Sequence, residues 1–185
     1  MMKLHPLSAL TLVWPLVCSL AAALPAQKTG FLDRTVKFGA LTIKYQVYVP
    51  PTYDGHQSLP VILFMHGSGE RGSDGLKQTQ VGMPSQIRWH RDWFNAIVVM
   101  PQCPDDSVFR GVVADATYAA LEKSVKQFHG DRSRIYVTGL SMGGYGVWQE
   151  IVDHPDIGHG AWELAYADEE LWKWLFAQRL VKPSR

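Results

Sequence analysis

Apolar and polar positions follow strand-like patterns over much of the chain, with helix-like patterns between them. Residues 41–49 alternate between apolar and polar side chains, which is typical of a strand with one face in a core. Residues 60–66 and 95–101 are continuous apolar runs, as in strands buried on both faces of a mostly parallel sheet. The two residues Gly39 and Ala40 predict a hairpin turn. The predicted strands are residues 33–38, 41–49, 60–66, 95–101 and 133–139.

Helical spacing appears between and after these runs. Residues 112–128 carry apolar side chains at intervals of three and four, which predicts an amphipathic helix. Residues 82–89 form a short helix or a loop, and residues 167–180 are predicted as a last helix that Asp168 caps. The alternation of strands and helices predicts an α/β fold with helices on both faces of the sheet.

Composition narrows the class of protein. The chain has 185 residues, of which 46% are hydrophobic and 19% charged, as expected for one globular domain, here residues 24–185. The net charge of +1 gives no indication of a nucleic-acid partner. The seven histidines are scattered, so no metal site is predicted, and no motif indicates a cofactor. The pattern does not indicate an oligomeric state.

The N-terminus is predicted to be a secretory signal peptide, residues 1–23, with cleavage after Ala26 as the alternative. Lys3 precedes an apolar run at residues 7–20, and small side chains follow it. That run is shorter than the roughly 20 residues that span a bilayer, so no stable membrane anchor is expected. The protein is therefore predicted to be secreted or periplasmic. After cleavage Cys103 is the remaining cysteine, so no internal disulfide is expected, and its thiol is predicted to be buried.

A G-x-S-x-G motif follows the predicted strand 133–139 directly. Residues 139–143 have the sequence GLSMG, with Ser141 at the centre. Where a strand turns sharply into a helix, small residues on either side of a serine hold its hydroxyl out of the sheet. The backbone N–H of Met142 is then able to point at a developing oxyanion. This context predicts that Ser141 is a nucleophile.

A second glycine-rich segment follows the predicted strand 60–66. Residues 66–72 have the sequence HGSGERG, which lets the backbone approach a ligand closely. The N–H of Ser68 is the predicted second oxyanion donor. His66 is predicted to pack and to form hydrogen bonds at the end of the strand, without acting as a base.

These segments together resemble the α/β-hydrolase family, and more narrowly its secreted carboxylesterases and predicted peptidases of the phospholipase/carboxylesterase group. The resemblance implies that Ser141 is the nucleophile, that Ser68 and Met142 supply the oxyanion hole, and that His159 is the general base. It implies a serine hydrolase that cleaves a small-molecule or polymer-borne ester through an acyl-serine intermediate. The matching segments are residues 45–55, 59–72, 97–104, 131–148 and 158–178.

The chain departs from that family after the nucleophile. Members carry a catalytic acid between the serine and the histidine, on a loop after a further strand, whereas only 17 residues separate Ser141 from His159 here. A helix over residues 142–153 would be about 18 Å long. Five further residue steps reach at most about 17 Å, so Ser141 and His159 are expected to lie apart. We interpret this as an internal deletion of the strands that normally follow the helix.

The deletion has two further consequences. The catalytic acid is unknown, because the carboxylates near His159 are expected to be caps, turn residues or solvated charges. Those carboxylates are Asp153, Asp156, Glu163 and Asp168. The strand 133–139 is expected to become an exposed apolar edge, and Trp172 and Trp174 are expected to lose part of the surface that they cover.

Three alternatives remain open at this stage. A non-catalytic remnant or binding module would keep the first half of the fold without the acid segment. A serine peptidase would use the same nucleophile on an amide. The missing segment would also be explained if the gene model omitted part of the protein.

Overall fold

A computed structural model describes residues 28–146 and 166–179. The predicted signal peptide, His159 and three of the candidate acids, Asp153, Asp156 and Glu163, lie outside the described residues.

Among these described residues, five strands form one sheet in the order β1-β2-β4-β3-β5. β3, β4 and β5 are parallel, whereas β2 is antiparallel to both of its neighbours, so four of the five strands point the same way. The five strands and their order along the chain were predicted from the apolar runs. The strands are β1 (Gly30–Phe38), β2 (Leu41–Val49), β3 (Val61–Met65), β4 (Ile97–Pro101) and β5 (Ile135–Gly139).

The predicted hairpin joins β1 and β2. Phe38 pairs with Leu41 across the turn, and Gly39 has a φ of 58°, which a glycine adopts without strain. β1 begins three residues earlier than predicted, at Gly30. Its extension pairs with the end of β2, and the Phe31 ring packs on Tyr48 with centroids 5.3 Å apart. Residues 30–32 alternate only weakly between apolar and polar side chains, and they form a strand because they pair with the buried end of β2.

In the described part of the chain, three α-helices cover both faces of the sheet, as predicted. They are α1 (Met83–Trp89), α2 (Val112–Gln127) and α3 (Glu169–Ala177). α2 packs on one face, where its buried side chains join the core formed by β1 to β4. α1 and α3 pack on the opposite face. None of the helices in the described part of the chain is both long and apolar enough to cross a membrane.

α3 is shorter than the predicted range of residues 167–180. The Asp168 carboxylate accepts a hydrogen bond from the N–H of Glu170 at 2.9 Å, which confirms its role as the cap. The helix ends at Ala177 because Gln178 turns to extended geometry, with a ψ of 144°. The phenol of Tyr136 donates to the Gln178 carbonyl at 2.6 Å, so this end of the helix is fixed to β5.

Trp172 contradicts the expectation that it loses the surface it covers. Its indole is 2% exposed, it packs on Phe94 with ring centroids 4.7 Å apart, and its N–H donates to the Tyr166 carbonyl at 3.0 Å. Phe94, which precedes the serine turn, and Tyr166, in the same C-terminal segment as Trp172, provide this surface. Trp174 is 60% exposed.

β5 ends the sheet in the part of the chain that the structure describes. Val137, in the middle of the strand, is 37% exposed, and no described strand follows β5. The predicted apolar edge is therefore present among residues 28–146 and 166–179. The carboxyl ends of β3, β4 and β5 meet at one edge of the sheet, which is where parallel α/β sheets place their ligand sites.

The two tryptophans of α3 allow a matched test of this packing. We expect Trp172→Ala to lower the free energy of unfolding by about 3–5 kcal/mol, because it removes a buried ring. Trp174→Ala, two residues away, is expected to change it by less than about 0.5 kcal/mol because this ring is exposed. Urea unfolding followed by circular dichroism measures both. Equal losses in the two variants would show that α3 does not pack as described.

Candidate active site

The turn after β5 holds Ser141 in left-handed backbone geometry. Its φ is 47°, which is unusual for a residue with a side chain and marks a strained turn. The N–H of Leu140 donates to the Met65 carbonyl at 3.1 Å, which ties the turn to the end of β3. The N–H of Tyr145 then donates to the Ser141 carbonyl at 3.0 Å, as in the first turn of a helix. A strand, a sharp turn and a helical turn therefore follow in the predicted order.

The glycines that flank Ser141 are required by close backbone contact. A Cβ on Gly143 would lie 2.1 Å from the Met65 carbonyl oxygen, and a Cβ on Gly139 would lie 2.7 Å from the same atom. Neither position has room for a side chain. The backbone of the turn thus rests directly on β3, and the glycines of the motif are explained by packing.

The loop after β3 approaches Ser141 from the other side. A Cβ on Gly67 would lie 3.6 Å from the Ser141 Cβ, so this loop passes directly over the serine. The backbone N–H groups of Ser68 and Met142 donate to no other group among the described residues. Two unused donors flanking a serine are the arrangement that binds an oxyanion. Ser68 follows Gly67 in the chain and Met142 follows Ser141, so the backbone of both residues lies near the serine. Their role as oxyanion donors stays a prediction.

His66 has the structural role that was predicted for it. Its Nδ1 donates to the Gly67 carbonyl at 2.6 Å, and its Nε2 accepts from the N–H of Cys103 at 2.8 Å. Burial lowers the pKa of the imidazole from 6.5 to about 4. Both ring nitrogens are occupied, so His66 joins β3 to β4 and is not a base. Cys103 is buried and free, as predicted, and burial raises the pKa of its thiol.

Two solved structures share this architecture. A thermostable esterase superposes with a TM-score of 0.66 and 23% sequence identity, over 81% of this chain and 63% of its own. A ferulic acid esterase superposes with a TM-score of 0.51 and 19% identity, over 68% of this chain and 56% of its own. This chain has the α/β-hydrolase fold. At these identities the similarity defines the fold and does not define the substrate.

The chain spans less than two thirds of the length of either esterase. No protein-family model matches it, and no curated protein matches it by sequence. The α/β-hydrolase fold therefore rests on the sheet order, the turn after β5 and the two structural neighbours.

Tyr166, in the C-terminal segment, contacts β5, the strand that precedes Ser141. The Tyr166 phenol and the Thr138 hydroxyl lie 3.1 Å apart, and burial raises the pKa of Tyr166 to about 12. A Cβ on Gly82 would lie 2.7 Å from the Leu140 side chain and 3.3 Å from the Tyr166 ring. Leu140 is thereby enclosed beside the serine by two loops that are distant in sequence. Sequence patterns gave no signal for Tyr166.

Glu70 is the second residue that the sequence patterns missed. It lies in the predicted oxyanion loop, in the short 3-10 turn Ser68–Glu70, with one carboxylate oxygen buried beside Gly67. In the sequence, an acidic residue within a glycine-rich loop could have indicated a residue of the site. Its position next to Ser141 becomes visible only when β3 and β5 are paired.

The general base and the catalytic acid are not located by the structure. His159, predicted as the base, lies outside the described residues. Among the candidate acids, Asp168 caps α3 as predicted. Residues 28–146 and 166–179 contain no cluster of three side chains suited to a metal ion.

The depressed pKa of His66 predicts how stability depends on pH. Between about pH 6.5 and pH 4 the unfolded imidazole binds a proton that the folded one does not, so stability falls as the pH is lowered through this range. We expect a loss of about 3 kcal/mol from this residue between pH 7 and pH 4. In His66→Gln the amide oxygen can still accept a hydrogen bond from the N–H of Cys103, and the dependence of unfolding free energy on pH should be weaker. Urea unfolding at several pH values measures it, and an unchanged slope would contradict the assignment.

Proposed function

We propose that the protein is a secreted serine hydrolase of the carboxylesterase type, which cleaves an ester through an acyl-serine intermediate. The observation that carries this proposal is the placement of Ser141. It stands in strained geometry at the turn after β5, where a Cβ built on Gly67 would lie 3.6 Å from the Ser141 Cβ. The N–H groups of Ser68 and Met142 donate to no other group among the described residues. Strain of this kind is maintained where a side chain must be presented in one direction.

The proposed reaction has two steps at one serine. The Ser141 Oγ attacks the carbonyl carbon of the ester while a base takes its proton, and the oxyanion is held by the N–H groups of Ser68 and Met142. The base returns the proton to the departing alkoxide, which leaves an acyl-serine. Water then attacks the acyl group by the same route and releases the acid. The resemblance to carboxylesterases assigns the base to His159.

The substrate class is an ester carried by a small molecule or by a polymer. The two solved structures described above are esterases, and one of them is named for ferulic acid. This supports ester hydrolysis as the type of reaction. The loops that follow β3 and β4 lie at the same edge of the sheet as Ser141, so they are expected to recognise the acyl group.

Reaction with a fluorophosphonate probe tests the nucleophile directly. We expect the purified protein to be labelled at Ser141, because such probes modify serines that a base and an oxyanion hole have activated. Ser141→Ala should abolish labelling while circular dichroism shows an unchanged fold. His159→Ala should reduce the labelling rate by at least about a hundredfold. The labelled position is read by peptide mass spectrometry.

The same experiment separates the enzyme from its main alternative. A folded protein that is not labelled would favour a non-catalytic remnant, in which the turn around Ser141 is retained as architecture. Labelling that requires Ser141 but not His159 would keep the serine hydrolase and move the base to another residue.

The oxyanion hole is tested by removing a single N–H. Gly67 is extended, with a φ of −78° and a ψ of 179°, and Ser68 is the first residue of a 3-10 turn, so both positions suit a proline at residue 68. We expect Ser68→Pro to slow labelling and ester hydrolysis by about 100-fold to 1,000-fold. Ser68→Ala keeps the N–H and should stay within about threefold of the wild type. Equal rates in the two variants would exclude this N–H as a donor.

A further inference from the structure

The Glu70 carboxylate is placed beside the nucleophile without a protein partner. Its Oε2 is enclosed and accepts no hydrogen bond from any residue that the structure describes. This oxygen lies 2.9 Å from the position that a Cβ on Gly67 would take. An enclosed carboxylate oxygen without a donor is costly, so such groups mark positions where a ligand or a reacting group completes the contacts.

Ser141 lies on the same side of the loop. The Ser141 Cβ lies 3.6 Å from the position of a Cβ built on Gly67, and Glu70 Oε2 lies 2.9 Å from the same position. The Ser141 Cβ and Glu70 Oε2 are therefore no farther apart than the sum of these two distances. In a bound ester, the Ser141 Oγ would attack the carbonyl carbon. That carbon would therefore lie close enough to Glu70 for its charge to affect the reaction.

No described cation neutralises this charge. Glu70 takes part in none of the ion pairs among residues 28–146 and 166–179. The neighbouring Arg71 uses its Nε to donate to the Ser107 carbonyl at 2.6 Å. The second carboxylate oxygen, Oε1, is neither enclosed nor bonded to a described residue, which leaves one side of the carboxylate open to a bound molecule.

An unneutralised carboxylate at this position discriminates substrates by charge. It opposes the oxyanion that develops on a neutral ester, repels an acyl group that carries a carboxylate, and attracts one that carries a cation. We propose that Glu70 is a specificity-determining residue that selects esters bearing a positive charge close to the scissile carbonyl, such as ammonium or quaternary-ammonium acyl esters. This inference rests on the proposed function.

A series of three p-nitrophenyl esters of similar size tests the proposal. The acyl groups are butyrate, which is neutral, 4-(trimethylammonio)butyrate, which is cationic, and glutarate, which is anionic. For the wild type we expect kcat/KM to decrease from the cationic to the neutral to the anionic ester. In Glu70→Gln the ratio of the cationic to the anionic ester should fall by about tenfold or more, while hydrolysis of butyrate stays within about threefold or increases.

Glu122→Gln is the matched control. It makes the same chemical change on the exposed face of α2, where Glu122 pairs with Arg132 at 2.7 Å, and it should leave the ratio unchanged. An equal loss of all three activities in Glu70→Gln would overturn the proposal and would indicate that Glu70 accepts the proton of Ser141 instead. An unchanged ratio would overturn it as well.

A binding measurement separates this proposal from the proposed function. If the wild type hydrolyses none of the esters, the carboxylesterase proposal fails, but the Glu70 site is still tested by butyltrimethylammonium binding in saturation-transfer NMR. We expect the wild type and Glu122→Gln to bind this cation, and Glu70→Gln to bind it at least about fivefold more weakly. Equal affinity in the three proteins would exclude Glu70 as a site for a cation.

Discussion

The contact between the turn after β5 and the end of β3 determines the geometry of the candidate site. Gly139 and Gly143 both lie against the Met65 carbonyl, where neither has space for a side chain, and the N–H of Leu140 donates to the same carbonyl. This contact forces the reversal of the chain and with it the positive φ of Ser141. β3 then continues directly into the loop at Gly67, so one strand end positions both Ser141 and the loop that contains Ser68.

Buried polar groups keep that loop in place. His66 uses one ring nitrogen on the Gly67 carbonyl and the other on the N–H of Cys103, so the loop after β3 is fixed to the end of β4. Its lowered pKa means that the ring stays neutral across the physiological range and keeps one donor and one acceptor. A protonated ring would have two donors and would lose the bond from Cys103. The position of Ser68 therefore depends on a histidine that takes no part in the proposed chemistry.

Sequence patterns predicted the elements of this fold better than their contacts. Continuous apolar runs located β3 and β4 because strands buried on both faces need apolar side chains throughout. The motif around Ser141 was recognisable because close backbone contact restricts its neighbours to glycine. The burial of Trp172 and the proximity of Glu70 to Ser141 could not be predicted, because each depends on a partner distant in sequence. Trp172 packs on Phe94, and Glu70 is brought to Ser141 by the pairing of β3 with β5.

The described contacts that support the Ser141 turn come from residues before it in the chain and from residues after the inferred deletion. β3 and the loop at Gly82 precede the serine, whereas Tyr166 and Trp172 follow it and close the core beneath Thr138 and Leu140. None of these contacts involves a strand beyond β5. Among the described residues, the geometry of the Ser141 turn is therefore set by its contacts with β3 and β5. The inferred deletion would remove the loop that carries the acid in α/β-hydrolases, so it would affect the activation of Ser141 more than the shape of this turn.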